Sequence, residues 1–290
     1  MKKILIIITT LIALLTIVMN YGLQLKMADG IYEKIQESNE IKNKDLGGIK
    51  INTKKEDISC SGFIKYTCTL NNPTYGMKTL PTDVLKSKNI IISDISILGD
   101  SNVVLNINDL DLIESSGITI KDMFPMTLTG IVKKDKSITD ITFIANNNAL
   151  DLNFKTKLKE LPKNDSEIQN YSIEIKNKNL KDLIYSIYIE FMKNPLVSNQ
   201  IKEMINEGLT NTKTSDIKDV SYIIDGIEQS ISNSIGKEIT KDNVKNFFNK
   251  KDSTLIITAK NKTGISLRTM AVSQGLPIDN FKFEVKLKWK

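Results

Sequence analysis

Histidine is absent from the 290 residues of this chain. That absence removes the Ser-His-Asp triad, the Cys-His dyad, imidazole general-base catalysis and every metal site with an imidazole ligand. Arginine is nearly absent: Lys and Arg together number 40, and Arg268 is the sole arginine. Arginine reads phosphate and base edges bidentately, whereas lysine is a hydrated point charge. With no interleaving of aromatic and basic residues either, the chain is not laid out to bind nucleic acid. The formal net charge of +6 suits contact with acidic lipid headgroups and equally suits ordinary solubility.

What is present begins with an export signal. Lys2 and Lys3 precede a run that is apolar from Ile4 to Met19, interrupted only by threonines. A basic segment ahead of an apolar core is either a cleaved signal peptide or an uncleaved anchor. The run falls slightly short of the ~20 residues of a spanning helix. Continuing to Leu25 brings it to length, with Tyr21 at interface depth and Lys26 able to snorkel. Its exit, Val18-Met19-Asn20-Tyr21-Gly22, is a poor cleavage site, and no lipidation cysteine follows. The reading is a signal anchor or transmembrane helix over 1–26 in the inner (cytoplasmic) membrane, with the lysines inside and the bulk of the chain on the extracytoplasmic, periplasmic side. Pilin-like subunits share this outline, but the processing glycine and the acidic residue they carry near the apolar run are missing here.

Residues 27–48 read as a helical stem. Leu23, Met27, Ile31 and Ile35 fall at helical spacing, and Gly47-Gly48 ends the segment. From 49 to 177, β-branched residues and alternation dominate, giving strands at 49–58, 63–71, 89–98, 102–113, 126–134, 138–146, 149–158 and 170–177. Inside 102–113 the alternation switches faces, which calls for a bulge near Asn108-Asp109. Cys60 and Cys68 lie in exported territory, where disulfides persist. In one straight strand they would stand roughly 25 Å apart at ~3.3 Å per residue, so a bond requires a turn near Gly62–Lys65. A disulfide is expected, as a local staple closing a small loop.

The period becomes helical over 178–250. Leu180, Leu183, Ile184, Ile187, Tyr188 and Phe191 form one stripe, opened by Asn177 or Asn179 as cap. A second helix starts at Pro195 and runs to Gly208, a third follows Ser215 through Ile235, and a short fourth begins at Thr240 and buries Val244, Phe247 and Phe248. Strands return over 253–290, at 253–260, 264–268 and 280–289. The last is regular, with Phe281, Phe283, Val285, Leu287 and Trp289 on one face. The expected fold class is α+β, with 49–290 as one exported domain: a largely antiparallel sheet covered by the helical block at about 179–250 and rejoined by the C-terminal strands.

Three patterns could carry chemistry. Lys262-Thr263-Gly264, with Ser-x-x-Lys at Ser234–Lys237 and Ser215–Lys218, is similar to the signature of penicillin-binding serine acyl-enzymes. The order departs from theirs, because the only Ser-x-Asn, Ser87–Asn89, precedes the other two; a turn is the simpler reading of 261–264. Asp109, Asp111 and Glu114 could serve hydrolysis or calcium, yet Glu114 points away from the strand face that Asp109 and Asp111 would share, and the group reads as solvated. Lys133-Lys134-Asp135-Lys136 and the terminal Lys282, Lys286, Lys288 and Lys290 could meet acidic lipids, or sit at a hairpin tip and on a wet strand face. No catalytic residue, metal ligand or cofactor is therefore expected. The remaining expectation is a non-enzymatic, membrane-anchored envelope protein that binds a lipid or other apolar ligand, with 281–289 as the candidate face, or a scaffold docking another envelope protein. In outline it resembles anchored β-groove proteins that handle lipid or envelope assembly, at the level of fold alone.

Overall fold

A computed structural model describes residues 2–40, 49–77, 82–96, 102–113, 123–162, 165–193, 221–235, 243–267 and 280–289, with the side chains of 2–18, 191, 222, 234 and 235 outside the description. The described residues form an antiparallel β protein with four α-helices. The chain divides into two compact units, Met1–Ser116 and Gly117–Lys290, so the strand-rich stretch 49–177 is shared between them.

The first unit opens with α1 (Lys2–Glu40), one unbroken helix. Among the described residues, no helix is long and apolar enough to cross a membrane. The run Ile4–Met19, on which the expected span falls, contributes only backbone as far as Val18. The expected stem is not free-standing either. From Asn20 onward α1 lies on strands of its own unit, fixed at three points. The Asn20 and Gln24 side-chain amides both donate to the Gly62 carbonyl, at 2.9 and 3.0 Å. Lys55 pairs with Asp29 at 2.9 Å. Asn39 donates to the Ile51 carbonyl and accepts from its N–H, at 2.8 and 3.0 Å.

The strands of this unit are β1 (Ile49–Asn52), β2 (Ile58–Gly62), β3 (Lys65–Asn71), β4 (Thr74–Met77), β5 (Asp83–Lys86), β6 (Asn89–Ser96) and β7 (Val103–Leu112). The run expected as a single strand at 49–58 is broken by a 3-10 turn at Lys55–Asp57. β2, β3, β6 and β7 pair in that order, as do β1, β4 and β5. The first half of β7 pairs with β6 and its end with β5, through Asn89↔Asn108 and Leu85↔Leu112. Between these pairings Asp109 has φ +51, the switch of faces that the alternation demanded. Asp94 makes a similar kink in β6 with φ +60, where the register against β3 jumps between Tyr66↔Ile95 and Cys68↔Ile92. Such irregularities return the apolar residues to one face. The turn between β2 and β3 places Cys60 directly opposite Cys68, disulfide-bonded with Cα atoms 4.0 Å apart. A β-carbon on Gly62, at φ +128, would lie 2.1 Å from the Lys65 carbonyl oxygen, so only glycine fits.

The second unit is a meander of β8 (Met126–Asp135), β9 (Ile138–Asn146), β10 (Leu150–Leu161), β11 (Asp165–Asn177), β12 (Thr254–Asn261) and β13 (Phe281–Lys288), each antiparallel to the next. The C-terminal strands do rejoin the sheet. Between β11 and β12 come α2 (Leu180–Lys193), α3 (Ser221–Ile235) and α4 (Asn243–Asn249). Leu180 and Leu183 of α2 and Val244 and Phe247 of α4 pack on Leu255 and Val285 of the sheet and on Ala149 in the β9–β10 turn. The expected helix at 195–208 and the Ser215 cap lie outside the described residues. Of the strand expected at 264–268, the described residues 264–267 show one bridge, Glu167↔Ser266.

Candidate apolar groove in the first unit

The α1 stripe lands on an apolar strand face. Met27, Ile31 and Ile35, one helical turn apart, look across at Ile90 and Ile92 of β6 and Leu105 and Ile107 of β7. Ile90 sits directly opposite Ile107 and Ile92 opposite Leu105, so the four make one patch. Leu70 and Tyr75 add a buried floor, 1% and 7% exposed. Helix and strands do not close on each other, and a cavity of about 570 Å³ remains between them. That size lies within the roughly 300–1,000 Å³ of small-molecule sites.

Polar groups at the groove are few. The Tyr75 hydroxyl and the buried Ser87 hydroxyl share a hydrogen bond of 2.8 Å. Burial raises the Tyr75 pKa above that of an ordinary phenol, and the Ser87 bond offsets part of the rise. Lys34 stands at the rim, its pKa raised by its hydrogen bond to Glu37 and by that carboxylate's charge. The groove can therefore desolvate a hydrocarbon while keeping one cation and one carboxylate at its lip.

No protein-family model, curated protein or solved structure matches this chain.

On the face expected to take an apolar ligand, Phe281 and Val285 are buried and Phe283 and Leu287 half-buried. Phe281 is buried with Ala259 against Tyr171, Ile168 and Phe283, and Val285 and Leu287 belong to the core beneath α2 and α4. Trp289 lies past the end of β13, exposed, with the Lys250 ammonium 4.0 Å from its ring centroid. Reasoning from sequence found the Met27-Ile31-Ile35 stripe but read it as stem. The missing signal was Asn20 and Gln24, two amides four residues apart that follow the apolar run and bind a strand.

The chemical motifs resolve mainly as structure. In Asn261–Gly264, the Asn261 side-chain oxygen accepts from the N–H groups of Thr263 and Gly264, at 3.0 and 2.9 Å, forming a turn. Ser215, Lys218 and Lys237 and the Ser234 side chain lie outside the described residues, as does Glu114. Asp109 forms the kink of β7 and Asp111 accepts from the Leu112 N–H. No metal-holding group of Cys, Asp and Glu occurs among the described residues. The lysine segments, by contrast, do meet. Lys133 and Lys282, with Lys155, Lys157 and Lys260, line a trough of about 900 Å³ on the polar face of the second unit's sheet. Its two carboxylates are engaged, Asp140 by Lys157 at 3.7 Å and Glu284 by Lys286 at 2.9 Å.

Proposed function

We propose that this chain is a non-enzymatic, membrane-anchored envelope protein whose first unit holds an acyl chain between α1 and the β6–β7 face. The observation that carries the reading is the open groove lined by Met27, Ile31, Ile35, Ile92, Leu105 and Ile107. Apolar side chains around an unfilled cavity favour a hydrocarbon occupant, because each CH₂ taken from water contributes about 0.8 kcal/mol. The apolar run Ile4–Met19 supports an uncleaved anchor in the cytoplasmic membrane with the units on its outer side, since the groove is built partly on the same helix.

The test is native mass spectrometry on the full chain released in mild detergent. Wild type should carry a mass excess that resolves into lipid, and Ile107→Trp, which fills the groove, should lose it. Added acyl chains should bind about fourfold tighter per methylene until the groove is full, from the same transfer energy. A wild-type chain with a clean mass and no chain-length dependence would overturn the reading.

The trough in the second unit favours a second reading, a scaffold docking an acidic envelope protein. Reversing Lys155 and Lys260 to Glu should then abolish a salt-sensitive partner interaction and leave any bound lipid in place.

A further inference from the structure

The β2–β3 hairpin has a direction relative to α1. At its tip, Gly62 accepts from Asn20 and Gln24, and the Tyr66 hydroxyl donates to the Asn20 side-chain oxygen at 2.7 Å. Just before the hairpin begins, Lys55 pairs with Asp29. Passing from Asn20 to Asp29 along the helix, about 14 Å at ~1.5 Å per residue, therefore runs from the tip of the hairpin back to its base. Phe63 and Ile64, beyond Gly62, stand at the Asn20 end of this overlap, where the apolar run has just finished.

Both tip residues are large, apolar and open to solvent, 57% and 53% exposed. Met19 and Tyr21 on the neighbouring turn of α1 are also exposed. Gly62 fixes the turn, and the Cys60–Cys68 bond holds the two strands behind it. A rigid hairpin thus presents two apolar side chains beside the end of an apolar helix, an arrangement that water disfavours and a bilayer interface favours.

The geometry points to the hairpin tip as a second membrane contact: Phe63 and Ile64 insert into the lipid interface beside the emerging α1. This rests on the anchor reading above and goes beyond it, because one helix tethers a protein whereas a helix and a hairpin also set its orientation. The groove on the same helix is thereby held at a fixed height above the lipid from which an acyl chain would enter.

The test uses the full chain in phosphatidylcholine vesicles with the sole tryptophan moved to the tip, as Phe63→Trp in a Trp289→Phe background. Ile64→Trp in the same background is the second variant, should the first fold poorly. Flotation after an alkaline wash reads the anchor; quenching by bromine-labelled acyl chains reads the tip. Flotation with blue-shifted emission that bromolipid quenches supports the insertion. Flotation with water-exposed, unquenched emission overturns it and leaves the anchor standing. Flotation with blue-shifted but unquenched emission also overturns it, by placing the tip against protein rather than lipid. Failure to float overturns the anchor and the insertion together.

Discussion

Asn177 ties the start of α2 to the end of α4. Its side-chain oxygen accepts from the Leu180 N–H at 3.0 Å and starts α2. Its amide donates to the carbonyls of Phe247 and Lys250 at 2.8 and 3.2 Å and ends α4. Asn177→Ala should destabilise this unit by roughly 1–3 kcal/mol, from a lost cap and the loss of one of two donors to carbonyls that Ser253 also binds, measured by urea denaturation. Asn177→Asp keeps the cap but cannot donate to those carbonyls, so it should remain well below wild type. Tyr75 makes a prediction about pH. Its folded pKa is raised, chiefly by burial, so its contribution is complete below the unfolded value of about 10 and is lost as pH climbs through the folded value. Denaturation midpoints should begin to fall as pH rises past about 10, and Tyr75→Phe should flatten the fall. The same change should cost about 1–2 kcal/mol at neutral pH by leaving Ser87 without its partner.

The disulfide acts at the level of the element. It joins directly opposite residues eight apart in sequence, and the chain-entropy account gives a loop this short about 2–3 kcal/mol. Cys60→Ala/Cys68→Ala should lower the unfolding free energy of the first unit by that amount, with near-wild-type stability of the second unit as the control. The strands that patterning located well, β6 to β10 and β13, are those long enough for an apolar pattern to show, at eight residues or more. The bulge at Asp109 was legible for the same reason, because two parities in one apolar stretch cannot share a face without an extra residue. β4 and β5 were not legible: they are four residues each, flanked by Pro73 and Pro81, and too short for a period to show. The disulfide was foreseen because its geometry required a turn. The groove was not, because it depends on a helix packing against strands far along the chain, and local periodicity does not specify which face meets which.

At the scale of the molecule, the proposed anchor makes the simplest prediction. Full-length chain should stay with membranes through high-salt and alkaline washes, and a chain lacking residues 2–19 should be released, as read by sedimentation. If the shortened chain also resisted alkaline washing, the tether would have to lie elsewhere. The three fixings of α1, at Gly62, Lys55 and Ile51, have a mechanical consequence. They follow one another along the helix axis, so a pull on the N-terminal end of α1 loads them in shear rather than peeling them apart one by one. The first to feel the load holds a hairpin that a covalent bond prevents from unzipping. A force applied to the N-terminal end of α1 would therefore pass into the first unit without first unravelling it.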